Sequence, residues 1–262
     1  MDNETRDESS DDPGGKYVYC IIRNDRQREF GEIGIGGGKR VYTIHEQDLA
    51  AVVSDTPLVI YDPTRENVLA HEFVNETVMR EFTVIPMSFG TVFRSEQDVS
   101  ELLRSTYQAF IDVLDKMQDK IEFGLKILWD RDKVVNSIET ENDEIHRLKD
   151  EITRNAASST YFARMQLGRL IEAAMEERSN RYVTEVHEAL RQVSVASRSN
   201  KVIGDRMILN AAFLVDRNDE KAFDDTVKEI GRRYEDFLTF KYTGPWPPYN
   251  FVNIKLKLEK AS

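Results

Sequence analysis

The chain has 262 residues, 40% hydrophobic and 32% charged, with a formal net charge of −11. That is enough apolar material for one large domain or two of ordinary size, while no run of about 18 apolar residues exists to cross a membrane as a helix. The only cysteine, Cys20, excludes a disulfide framework or a cysteine zinc site within one chain, and the acidic balance disfavours nucleic acid and anionic lipid as partners.

The first residues, MDNETRDESSDDPGGK, are acidic and apolar-poor. They predict a disordered tail over 1–15 and hold no secretory signal, so a cytoplasmic location is expected. The sequons at Asn3 and Asn75 are then chance matches. Order begins with the strand Lys16–Ile22, in which Cys20 reads as a small buried hydrophobe. The glycine-rich GEIGIGGGKR predicts a tight hairpin with positive φ angles, followed by strands at Val41–Ile44 and Leu49–Ser54. Asp62-Pro63-Thr64 opens a helix with Thr64 as its cap, running to about Arg80 and presenting Val68, Leu69, Phe73, Val74, Thr77 and Val78. A strand at Thr83–Ile85 stops at Pro86. Ser95 and Asp98 make a capping box for one helix whose stripe runs Val99, Leu102, Leu103, Phe110, Val113, Leu114, Met117. With the strand Ile121–Trp129, these elements predict a compact α+β domain over 16–130.

The remainder, 131–262, reads as a second, helix-rich α+β domain. Ile145, Leu148 and Ile152 mark one helical face. Phe162, Leu167, Leu170, Ile171, Ala174 and Met175 mark another, continued by Val183, Val186, Leu190 and Val193. Ser158-Ser159-Thr160 is a candidate interruption. A buried strand at Met207–Val215, an amphipathic helix from Asp216 to about Tyr234 and a strand at Phe237–Tyr242 follow. The last runs into GPWPPYNF, where three prolines exclude helix and central strand. Pro245, Trp246, Pro247, Pro248, Tyr249 and Phe251 are candidates for a domain clamp or a partner contact, the clamp favoured because aromatics are ordinarily buried.

Three patterns approach chemistry and stop short. His71-Glu72-Phe73-Val74-Asn75 begins like HExxH, but Asn75 replaces the second imidazole; a partly buried, satisfied histidine is the plainer reading. GIGGGKR lacks the Ser or Thr of a phosphate loop and the third glycine of a dinucleotide fingerprint. His45, His146 and His187 are scattered, and no GxSxG occurs.

AAVVSDTP (50–57), RENVLAHEFVNETVM (65–79), VIPMSFGTVF (84–93), GLKILWD (124–130), LNAAFLVDR (209–217) and YTGPWPPYNFV (242–252) resemble, in this order, the gas vesicle protein GvpF/GvpL family. The blocks span about Tyr17 to Val252, and PMSFGTVF with GPWPPY is the specific pair. The resemblance implies two α+β domains, the first a modified ferredoxin-like fold. It implies no enzyme activity, metal, cofactor or small-molecule substrate. It implies an accessory protein of early vesicle formation in the cytoplasm, binding the hydrophobic shell protein GvpA and other accessory proteins. The alternative it carries is a minor component of the vesicle wall.

Overall fold

The computed structural model describes residues 14–155 and 160–252. The acidic tail, Asn3 and the Ser158-Ser159 interruption fall outside the described residues or nearly so. The chain is α+β and divides into two compact units. One runs to Lys120 and takes up the chain again from Trp246; the other is Ile121–Pro245.

The first unit holds β1 (Gly15–Arg23), β2 (Glu29–Gly34), β3 (Lys39–Glu46), β4 (Leu49–Thr56), α1 (Arg65–Met79), β5 (Val84–Pro86), β6 (Val92–Phe93), α2 (Glu96–Ser105) and α3 (Tyr107–Met117). The sheet order is β2-β3-β4-β1-β5, with β6 also on β1. β1 runs antiparallel to β4, β5 and β6. A bulge places Tyr19 as an extra residue between Val18 and Cys20. Side chains normally alternate every second residue, and the extra residue resets that parity. Val18 and Ile21 therefore share a face, where they join Leu49, Ala51 and Val53 in the core under Val99, Leu103 and Phe110 of α2 and α3. Tyr17 and Tyr19 turn to the other face, against His71 of α1. Cys20 is fully buried, which pushes its thiol pKa far up.

The Ser95 cap is as the sequence predicts: its Oγ accepts the Asp98 N–H at 3.2 Å. The helix it opens is not one piece, however. It breaks at Thr106, whose ψ is 10°. The Thr106 N–H still reaches Leu102 O, and Phe110 N–H reaches Thr106 O, both at 3.0 Å. These two bonds bridge the kink, and the apolar stripe stays on one side.

The second unit is built on β7 (Lys120–Trp129), α4 (Arg131–Glu141), α5 (Asp143–Arg154), α6 (Tyr161–Arg191), β8 (Ala196–Ser199), β9 (Met207–Asp216), α7 (Glu220–Arg233) and β10 (Leu238–Trp246). Its sheet order is β10-β7-β9-β8. This differs from a division at 130. β7 is an inner strand of the second sheet, so the first unit closes before it rather than after it. β10 runs on through Gly244-Pro245 to Trp246, which an edge strand allows because a proline there leaves no ladder donor missing. Gly244 has φ 125°, and a Cβ on it would lie 2.8 Å from Glu122 O, so this step of the strand needs glycine. Phe123, Phe223 and Tyr242 stack in the core, the first two rings 5.3 Å apart. Phe162, expected on a packed face of α6, is instead 78% exposed beside Tyr161.

Candidate functional site

α1 starts where the sequence places it: Thr64 Oγ1 accepts the Asn67 N–H at 3.3 Å, and Asn67 Nδ2 donates to Asp62 O at 3.0 Å. Its buried face is only in part the apolar one expected: Val74 and Val78 are buried, but Leu69 and Phe73 are not. His71, Val74, Asn75, Val78 and Met79 point inward. His71 Nδ1 lies 3.0 Å from the Tyr17 hydroxyl, which also accepts the Gly90 N–H at 2.9 Å. The Asn75 amide stands 3.2 Å from His71 Nε2 and donates to His71 O at 3.1 Å. The Tyr19 hydroxyl meets Ser54 Oγ at 2.8 Å and accepts the Ile35 N–H at 2.8 Å. Burial lowers the His71 pKa to about 4 and raises Tyr17 and Tyr19 to about 12. The histidine is a neutral member of a buried polar network in which the Asn75 Oδ1 alone has no partner, and Asn75 is too buried to accept a glycan.

Because the polar residues of α1 turn inward, two large apolar ones turn out. Leu69 and Phe73 are about half exposed. They floor a cleft of about 700 Å³. The facing wall is the β2–β3 turn. Gly36, Gly37 and Gly38 have φ values of 80°, 90° and 78°, so this wall is bare backbone. Gly34 closes the turn by accepting the Gly38 N–H at 3.0 Å. A strand, not a helix, follows these glycines, so the turn lacks the helix N-terminus of a phosphate cradle. Ile35, fully buried, pins the turn to the sheet. Trp246 completes the lining, and Glu66, Glu72 and Glu76 stand along the α1 side. Partial burial, then the Glu76 charge one turn away, raises the Glu72 carboxyl above its ordinary value.

A second apolar feature precedes α1 in the chain. Between Pro57 and Asp62 the chain exposes Leu58, Val59 and Ile60, the last 97% exposed. The loop is anchored behind them. The Tyr61 hydroxyl bonds Thr56 Oγ1 at 2.7 Å, its ring stands edge-on to Tyr17, and it lies against Gly36 of the turn. Leu58, Val59, Ile60, Leu69 and Phe73 thus fall within sixteen residues of chain, 58–73.

The six residues singled out in GPWPPYNF are not gathered at one place. Trp246 is half-buried at the cleft. Pro245 is exposed, Pro247 and Pro248 are buried, and Phe251 is half-buried. Tyr249 and Val252 border a separate pocket of about 170 Å³ with Ile85, Met87 and Phe110. Tight turns hold the segment: Tyr249 N–H to Pro247 O at 2.7 Å and Val252 N–H to Pro248 O at 3.0 Å. The residues the sequence reading missed are those at 58–60 and the carboxylates of α1. The signal was present in PLVIYDP, an apolar run between two prolines too short for a core helix.

His45 bonds Asn24 O and Thr43 Oγ1, and His187 bonds Ser197 Oγ. Among the described residues no group of three or more His, Cys, Asp or Glu is placed to hold a metal ion, and no helix is long and apolar enough to cross a membrane.

The family model described as "Gas vesicle synthesis protein GvpL/GvpF" matches residues 15–253. The chain belongs to the GvpL/GvpF family. Gas vesicle protein F1 of Halobacterium salinarum is 31% identical over 247 residues, covering 93% of this chain and 95% of the relative. Gas vesicle protein F of Haloferax mediterranei is 28% identical over 92% and 94%. Gas vesicle protein L1 of Halobacterium salinarum is 23% identical over 91% and 90%. The fold matches the crystal structure of the gas vesicle protein GvpF from Anabaena, with a TM-score of 0.80 over 92% of this chain and 99% of that one at 23% identity. The GvpF structure from Microcystis aeruginosa gives 0.75. As a family member, the protein takes part in gas vesicle formation.

Proposed function

We propose that this protein is a cytoplasmic adaptor of vesicle assembly. It holds the hydrophobic shell protein GvpA, and other accessory proteins, at the apolar face of its first unit and passes the shell protein to the growing wall. The observation that carries this reading is the run of outward apolar side chains at 58–73 beside an open cleft. Large apolar side chains exposed in this number over so short a stretch mark a candidate interaction surface. A wall that faces gas needs subunits that are themselves apolar on one side, and such subunits need cover in water. The net charge of −11 keeps the holder dissolved while it carries that cargo. The reading is one of binding rather than turnover: His71 is buried away from the cleft, and the Cys20 thiol is buried with a raised pKa.

Co-purification from cells or mixtures containing the shell protein tests it. The wild-type chain retains GvpA, directly or through other accessory proteins. The variant Leu69→Ser/Phe73→Ser loses most of it while keeping its fold. No association of the wild-type chain with any vesicle protein overturns the reading. Retention of the chain on vesicles washed with denaturant assigns it to the wall instead.

A further inference from the structure

We propose that the cleft beside the glycine turn takes a cationic amphipathic segment of its protein partner, with apolar side chains on Leu69, Phe73 and Trp246 and a lysine or arginine on Glu72 and Glu76. The inference rests on the adaptor reading and names the chemistry of the partner that reading leaves open.

Three observations converge. The floor is apolar and exposed. The opposite wall is glycine backbone, so none of its side chains fills the space between. A volume of about 700 Å³ suits a few side chains of an inserted peptide. Among the described residues Glu66, Glu72 and Glu76 form no ion pair, although many other carboxylates there do. Glu72 and Glu76 are one helical turn apart, so their charges repel unless a cation sits between them. An arginine or lysine whose stem lies on Phe73 satisfies both the apolar floor and the carboxylate lip. An acidic or purely aliphatic segment satisfies only one.

The test uses the full chain and a labelled helical peptide with Leu at i, i+3, i+4 and i+7 spacing and Lys between, with a Leu–Glu peptide of the same pattern for comparison. Peptide binding is read by anisotropy and by the emission shift of Trp246, which Trp246→Phe must abolish while Trp129 remains. The Leu–Lys peptide is expected to bind and the Leu–Glu peptide to fail. Glu72→Gln/Glu76→Gln weakens binding roughly tenfold, and so does raising the salt well above physiological strength. The control Glu172→Gln/Glu176→Gln, on the exposed side of α6, changes the net charge equally and leaves binding intact. Equal loss in the control means non-specific attraction and overturns the proposal, as does equal binding of the Leu–Glu peptide. Residues 253–262 read NIKLKLEKAS, themselves apolar and basic. If truncation after Val252 raises peptide affinity tenfold or more, the occupant is the chain's own end and the proposal falls. GvpA is run in parallel. If it binds regardless of the Glu72/Glu76 change, the cleft chemistry is wrong and the adaptor reading survives. If neither it nor any other vesicle protein binds while the Leu–Lys peptide shows the full dependence, the adaptor reading is wrong and the cleft chemistry survives.

Discussion

The two sides of α1 are opposites in an unexpected sense. The inward side carries a histidine and an asparagine, both buried; the outward side carries a leucine and a phenylalanine, both about half exposed. A surface helix ordinarily does the reverse. The inner side admits these two polar residues beside Val74, Val78 and Met79 because β1 brings two tyrosine hydroxyls under it, and buried polar atoms demand partners. The outer side carries Leu69 and Phe73 among its carboxylates without any such structural demand. That asymmetry separates what α1 does for the fold from what it offers a partner.

The largest effect expected is on the inner side. His71→Ala leaves the Tyr17 hydroxyl and the Asn75 amide without their partner and opens a cavity. Chemical denaturation is expected to show a loss of about 3 kcal/mol or more. A loss near zero means that the network does not hold the helix, and the contrast between the two sides collapses.

The same network gives a pH dependence. His71 has a pKa of about 4 in the fold against 6.5 for the free side chain. Between those values the unfolded chain binds more protons, so folded stability is whole above about pH 6.5 and declines as the pH falls toward 4. The His71 share is about 3 kcal/mol in all. His71→Gln is less stable at neutral pH and has a flatter profile across this window. An unchanged slope in that variant assigns the acid sensitivity to other groups.

The C-terminal turn lies between these extremes. Pro247→Ala/Pro248→Ala trims two buried rings and loosens the unfolded chain, for a cost of about 1–2 kcal/mol. Trp246→Ala, at a half-buried site, costs less stability than the proline pair but weakens partner binding. If the order is reversed, with the tryptophan dominating stability and leaving binding alone, then Trp246 is a clamp and not part of the docking face.

The smallest stability effect belongs to the outer side. Phe73→Ser is expected to change stability by less than about 1 kcal/mol, while reducing retention of the shell protein several-fold. Loss of fold in this variant makes Phe73 a packing residue.

Much of this was legible in the sequence. The Thr64 and Ser95 caps, the glycine hairpin, the buried strand at 207–215 and the structural nature of His71 all follow from local rules, because each depends on neighbours close in sequence. The outward turn of Leu69 and Phe73 was not legible. Helical periodicity marks apolar positions but does not say which side the sheet will occupy, and here the tyrosines of β1 decide it from about fifty residues away. The break at Thr106 carries no Gly or Pro, so no local breaker residue marks it. α4 and β8 went unread because α4 turns only Val134 and Ile138 inward and β8 is a four-residue edge. Trp246 was marked as a site residue, but the cleft it lines needed Gly36–Gly38 and Phe73, which only the fold brings to it.

The most direct test of the docking face is hydroxyl-radical footprinting of the full chain with and without the shell protein. The account predicts that Leu58, Ile60, Leu69, Phe73 and Trp246 become protected together, while the exposed Phe162 and Tyr161 of the second unit keep their reactivity. Protection confined to the second unit, with Leu69 and Phe73 as reactive as in the free chain, would contradict it.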